Sequence, residues 1–346
     1  MGTDKTLILL NYTVDSLHPV LSHQLDVAVA LCGKFREVVV ITAGPKIDPN
    51  LPNLQVISTG WQQGKTFRNV FSLYRVFLSV LKSKKNVVVF SHMTEVQSAL
   101  IGPITKLLNI KHVLWYAHAH HSIGLRISNL FVDKIVTSTS GSCPIRGKKV
   151  LIIGQAINPT QFPSKEFAFK FKNFTHVGRF DSSKKIDLII DFCLGLRRGG
   201  IELNLDLIGS SSNAKNLNWA RNLQAKASGT EYEGWLTFES GVPRDEVMLR
   251  LQRSDVFVHA FQGSLDKTLV EATFMMLPVL TINHEYHQSF GSWSAVKSPS
   301  LEDEYRGLMS KTKDELRNEL ARRKNLALDH HGFQGWINRV SETLLF

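Results

Sequence analysis

Short apolar runs of strand length alternate with longer segments of helical period through most of the chain. TLILLNY (6–12), EVVVIT (37–42), NVVVFSH (86–92), HVLWYAH (112–118) and KIVTST (134–139) are rich in β-branched and aromatic residues, and helical patterns lie between most of them. They read as strands of one parallel sheet. THVGRF (175–180), LNLDLIG (203–209), VFVHAF (256–261) and PVLTIN (278–283) repeat the theme. The pattern predicts an α/β protein of two doubly wound, Rossmann-like domains. Pro159 and Pro163 interrupt it within NPTQFPSKEFAFKFKNF (158–174), so the expected domains are residues 1–163 and 164–330, with 331–346 a terminal helix packing back on the first domain. There is no internal repeat and no low-complexity tract.

One helix is especially well marked. Phe67, Val70, Phe71, Tyr74, Phe77, Leu78 and Leu81 recur at helical spacing and predict a single apolar face, while Arg68, Arg75 and Lys82 recur every seven residues. Lys82, Lys84 and Lys85 fall at its C-terminal end, where the helix dipole favours cations. Two readings stand: a helix docked on its own sheet with a solvated basic stripe, or a basic edge turned to anionic lipid. The segment before it, TGWQQGKT (59–66), looks like the phosphate loop of a nucleoside triphosphatase. That loop needs four residues between its first glycine and its Gly-Lys-Thr, and only three separate Gly60 from Gly64. A surface loop before a helix is the better reading.

Composition narrows the class. At 346 residues and 43% hydrophobic, the chain can bury two cores. No apolar run approaches the length of a membrane span, and MGTDKTLILLNY predicts a first strand rather than a signal peptide, so a cytoplasmic protein is expected. Cys32, Cys143 and Cys193 form no C-x-x-C pair and suggest neither a disulfide framework nor a zinc site. The net charge of +11 is unevenly spread: residues 1–164 hold 17 Lys and Arg against 7 Asp and Glu, the remainder 24 against 23. A basic first half points to an anionic partner, for which a membrane surface, a lipid-linked phosphate and nucleic acid are candidates. The cations are scattered over several elements with no nucleic-acid-binding motif, so no nucleic-acid partner is expected.

The chemistry concentrates in the second half. In VGRFDSSKKIDLII (177–190), Arg179 and Lys184 follow a strand and precede a helix, so both project from the carboxyl edge of the sheet, where two cations can neutralise a diphosphate. QGSLDKTLVEATFMMLPVL (262–280) follows another strand. Gly263 and Ser264 permit close backbone approach, a helix starting near Lys267 aims its positive end at an anion, and Glu271 lies a turn further on, where a carboxylate can accept from both hydroxyls of a ribose. In WYAHAHHSIGLR (115–126), His118 follows a strand directly; a structural histidine is the alternative reading. His120 and His121 beside it have no acidic or Cys neighbour, so no metal site is predicted. His92 is a weaker candidate on the same positional logic.

These segments resemble the retaining glycosyltransferases of family 4, which have the GT-B architecture. Gly178, Arg179, Lys184 and Asp187 match the family's diphosphate pattern, with Lys185 in place of the usual Gly; Glu271, Ala272, Pro278 and Val279 match its second hallmark; IIGQAINPTQF (152–162) resembles its interdomain segment. The resemblance implies two Rossmann-like domains facing each other across a cleft. It implies transfer of a sugar from a UDP- or GDP-linked donor to a hydroxyl acceptor, with a lipid-linked saccharide of cell-envelope polysaccharide synthesis as an acceptor class. Arg179 and Lys184 would stabilise the leaving diphosphate, Glu271 would hold the ribose, and His118 would contact the sugar or acceptor. Asp266 and Lys267 would line the donor site. The family's first glutamate, eight positions before Glu271, falls on Gly263. Asp266 could supply that carboxylate or could serve as a helix N-cap. No D-x-D occurs, so fixed cations are expected to do the work of a metal, and no cofactor is implied. The other readings are a nucleotide-sugar epimerase or hydrolase on the same fold, and a non-catalytic nucleotide-sugar or nucleic-acid binding protein.

Overall fold

The computed structural model describes residues 3–15, 21, 23–45, 49–165 and 169–346. They form two compact units, Met1–Ala156 with Gln334–Phe346, and Ile157–Phe333, so the division comes ahead of both prolines.

The first unit is built on a seven-stranded sheet of β1 (Thr3–Asn11), β2 (Phe35–Thr42), β3 (Leu54–Ser58), β4 (Val87–His92), β5 (His112–Trp115), β6 (Lys134–Thr137) and β7 (Val150–Ile152), in the order β3-β2-β1-β4-β5-β6-β7. All pairings are parallel. Helices α1 (His23–Cys32), α2 (Thr66–Ser83), α3 (Glu95–Leu107) and α4 (Ile123–Phe131) connect the strands. The central strands β1 and β4 are buried on both faces, which is why they read as unbroken apolar runs. The terminal helix α12 (Phe333–Leu345) lies in this unit from Gln334 onward: its buried Trp336 ring packs edge-on to Trp115 at 5.2 Å and lies 6.2 Å from Phe90.

Helix α2 departs from its predicted face. The residues turned inward are Asn69, Leu73, Phe77 and Val80, whereas Phe67 is 94% exposed, Phe71 71% and Leu78 41%. Three sides of this helix carry apolar residues, so spacing alone cannot say which pair of them faces the sheet. Asn69 is inward because its amide holds the preceding loop, donating to the Gln62 carbonyl at 2.7 Å and accepting from the Gln62 N–H at 3.0 Å. The 59–65 loop itself has Gly60 and Gly64 at positive φ, and its Lys65 is the N-cap of α2.

The second unit carries a five-stranded parallel sheet in the order β10-β9-β8-β11-β12. Its strands are β8 (Asn173–Val177), β9 (Asn204–Gly209), β10 (Leu236–Ser240), β11 (Val256–His259) and β12 (Val279–Thr281). The helices are α5 (Ile186–Arg198), α6 (Ala214–Lys226), α7 (Arg244–Arg253), α8 (Lys267–Phe274), α9 (His284–Phe290), α10 (Leu301–Met309) and α11 (Lys313–His331). Strand order reverses at the β8–β11 pair, so the loops leaving these two strands emerge side by side at the carboxyl edge, the position where such sheets take ligands. Among the described residues no helix is long and apolar enough to cross a membrane.

Candidate active site

The loops after β8 and β11 bring most of the sequence-predicted residues together. The ends of β8 and β9 approach so closely that side chains are excluded: a Cβ on Gly209 would lie 1.8 Å from the Gly178 carbonyl oxygen, and one on Gly178 would lie 2.9 Å from His176 Nε2. Past Gly178 the chain stays tied to β9, Phe180 donating to the Ser210 carbonyl at 2.9 Å. Asp181 then caps a single turn, Ser182–Lys184, by accepting from the Ser183 N–H at 3.0 Å. Lys185 adopts the left-handed conformation at φ 50°, which accounts for a glycine being the usual residue there, and its ammonium reaches the Gln262 side chain at 2.5 Å. This turn aims Arg179 outward and Lys184 inward. Arg179 is largely exposed, with its nearest carboxylate, Asp181, at 3.8 Å.

Lys184 is buried and ion-paired. Its ammonium meets Asp266 Oδ2 on one side and the face of the Phe261 ring, 3.8 Å from the centroid, on the other. Asp266 stands at the N-cap position of α8 but makes no capping bond with its side chain; the same Oδ2 accepts from His259 Nε2 at 2.9 Å. Burial works to raise the Asp266 carboxyl, but the hydrogen bond from His259 and the charge of Lys184 outweigh it and hold the group well below the usual carboxylate range. His259, at the end of β11, is fully buried, which keeps its ring below the ordinary histidine value and neutral against the pull of Asp266. A neutral ring donating to Asp266 carries its proton on Nε2, and Nδ1 is left buried without a partner. Beside it, His176 on β8 is pushed down to about 3 by burial, with His259 5.7 Å away ring to ring.

The Gly263 position is closed to a carboxylate. A Cβ there would lie 2.1 Å from the Phe261 ring, so the side chain that the resemblance places at this position has no room while Phe261 covers Lys184. The loop is pinned from below by Asn283, fully buried after β12, whose amide donates to the carbonyls of Phe261 at 2.8 Å, Gly263 at 3.2 Å and Ser264 at 3.4 Å.

One turn into α8, Glu271 is 1% exposed. Its Oε1 accepts from Arg244, the first residue of α7, at 2.5 Å, and lies 3.9 Å from the half-exposed Lys267 ammonium. Its Oε2 is buried with no hydrogen-bond partner. An ionised oxygen left without a donor is costly, so this is an acceptor that a ligand hydroxyl would satisfy. Next to Phe180, a cavity of about 550 Å³ is lined by Ser210, Asn213, Arg221, Phe238 and Gly241.

The remaining candidates lie elsewhere. His118 belongs to the first unit, exposed in the loop after β5, its ring edge-on to Tyr116 at 5.6 Å. His92 is core: 1% exposed, stacked on Phe90, and held neutral by burial and the nearby His23. Among the described residues no group of three or more His, Cys, Asp or Glu is arranged to hold a metal ion. His259, Arg244 and Asn283 were not legible as site residues; the first two act on partners 7 and 27 positions away, and only the fold pairs them.

Comparison with known proteins bears on this arrangement. No curated protein sequence matches the chain. Among solved structures, Alr3699/HepE of Anabaena in complex with UDP-glucose superposes at a TM-score of 0.73 and 11% identity, over 98% of this chain and 99% of its own. A glycosyltransferase from Rickettsia africae reaches 0.74 at 12% identity, over 99% and 98% of the two chains. The lipopolysaccharide outer core galactosyltransferase WaaB gives 0.68 at 13%, over 98% of each. Such identities speak to fold alone. The model of the family "Glycosyl transferases group 1" matches residues 158–290, the stretch that supplies every residue of the β8–β11 site. The chain therefore has the GT-B fold, with its second unit matching the group 1 glycosyl transferases from residue 158 to 290.

Proposed function

We propose that the protein is a glycosyltransferase of family 4 that moves a sugar from a nucleoside diphosphate sugar to a hydroxyl acceptor with retention of configuration. The observation that carries the reading is that the segments following neighbouring strands β8 and β11 hold a buried ammonium and, one turn into α8, a buried carboxylate oxygen that lacks a donor: Lys184 for the diphosphate, Glu271 Oε2 for the ribose. Arg179 adds a second cation on the exposed side. As the bond to the leaving phosphate breaks, the negative charge growing on it is stabilised by groups already in place, with no divalent ion needed. Ser264 and Lys267 line the donor site at the start of α8, and the cavity beside Phe180 receives the base. His118 is assigned to the sugar or its acceptor. Calorimetry with UDP, GDP and ADP, followed by product analysis with a saccharide acceptor, tests the reading. One nucleotide should bind selectively and sugar should reach the acceptor with its anomeric configuration kept. Release of free sugar alone would favour a hydrolase.

For the acceptor we infer a lipid-linked saccharide of the cell envelope, met at the inner face of the membrane. Helix α2 supports this. Phe67, Phe71 and Leu78 fall within about 40° of each other around the helix axis, by the 100° step of an α-helix, and all three face solvent. Lys82, Arg75 and Arg68 follow on the adjoining side, and the helix contains no acidic residue. An exposed apolar stripe edged by cations suits an anionic bilayer surface. The protein should sediment with vesicles containing phosphatidylglycerol and stay behind with phosphatidylcholine alone. Replacing both Phe67 and Phe71 by serine should weaken the first interaction at least about tenfold, since each buried ring contributes about 1.5–3 kcal/mol. Equal partitioning of both proteins would remove the membrane from the proposal.

A further inference from the structure

Lys184 can serve a diphosphate only if phosphate oxygens reach its ammonium, and that ammonium is already engaged. Its side chain is 4% exposed, with Asp266 on one side and the Phe261 ring on the other. The geometry points to Asp266 as a displaceable counter-ion: a nucleoside diphosphate takes the place of the Asp266 carboxylate on Lys184 rather than joining it there. The inference rests on the donor site proposed above.

Three features support exchange over a permanent pair. Asp266 is the more exposed partner, at 27%, and stands at a helix start where its side chain caps nothing, so parting from Lys184 breaks no helix cap. It has a hold of its own in the His259 Nε2–H, which keeps it ionised and ordered once Lys184 is released. The rest of the pocket is fixed: Asn283 ties down the carbonyls of Phe261, Gly263 and Ser264, and the Phe261 ring leaves no room for a side chain on Gly263. The movable group is thus the carboxylate, and the cation stays in place. A carboxylate kept beside the bound phosphates would repel them.

The counter-ion role and a role in gripping the donor sugar predict different results for Asp266→Asn. Loss of a sugar contact would weaken binding of the nucleotide sugar and leave UDP unchanged. Loss of a competing counter-ion removes a negative charge from an anion site, so both UDP and inorganic diphosphate should bind more tightly, by about tenfold or more at low salt. Asp266→Glu, which keeps the charge, should show no such gain. Calorimetry on the wild type and both variants gives the answer. Equal or weaker binding of UDP and diphosphate by Asp266→Asn overturns the counter-ion role. Tighter binding of inorganic diphosphate with no binding of any nucleotide would retain that role and reject the nucleotide-sugar donor; no binding of either ligand to any form would reject both. If Asp266→Asn does not fold alone because Lys184 is left unpaired, it should fold when UDP is present, phosphate replacing the lost carboxylate. Failure of that rescue also counts against exchange.

Discussion

Lys184→Met is expected to lower the affinity for UDP by about 100-fold or more while leaving the fold intact. Methionine keeps most of the side-chain volume under the Phe261 ring, so packing is largely retained. What is lost is the buried charge. A charge-assisted hydrogen bond to phosphate contributes about 1.5–3 kcal/mol, and Asp266, still ionised through His259, then faces the diphosphate uncompensated. Each 1.4 kcal/mol is about a factor of ten, so bond and repulsion together reach two orders of magnitude. Arg179→Ala should cost less, about tenfold, because this cation is exposed and screened. Adding Asp266→Asn to Lys184→Met should recover part of the loss by removing the repulsion, and a titration of the double variant measures that part. If Lys184→Met binds UDP like the wild type, the ammonium is structural and the diphosphate lies elsewhere.

The fold was legible where burial is two-sided and obscure where it is not. Each strand read from the sequence is present, and the three passed over, β3, β7 and β10, all lie at sheet edges. An edge strand is covered on fewer sides and carries polar positions; Leu54–Ser58 and Leu236–Ser240 show this in their mixed burial. Helix α2 failed for the opposite reason, having more apolar positions than one face can bury, and its excess, Phe67, Phe71 and Leu78, lies exposed. At the site, the glycines and charges that follow β8 and β11 could be placed because the sheet edge fixes where such loops emerge. Their pairing could not. Sequence leaves open whether Asp266 caps a helix or grips a sugar; in the structure its side chain makes no capping bond and is engaged by Lys184 and His259. That geometry depends on the reversal of strand order between β8 and β11, which no local pattern encodes.

Glu271→Gln should weaken UDP binding by about 10- to 100-fold, and the loss should be traceable to the ribose. Oε1 is occupied by Arg244, so the buried Oε2 is the atom left to accept from a ligand hydroxyl on this reading. Hydrogen bonds to a charged acceptor contribute about 1.5–3 kcal/mol, and a buried acceptor that loses its donor costs a similar amount. Deleting the ribose hydroxyls from UDP should therefore weaken binding to the wild type by a comparable factor. In Glu271→Gln the same deletion should matter much less, since the amide has already removed the charge and turned part of the acceptor into a donor. Arg244, half-exposed, can return to solvent when its partner is neutralised, so stability should fall only modestly. The coupling between the two deletions isolates the contact from any general loosening of α8. Additive losses would mean that Glu271 serves Arg244 and the start of α7 rather than a ribose, and the donor would then have to lie across some other part of the carboxyl edge.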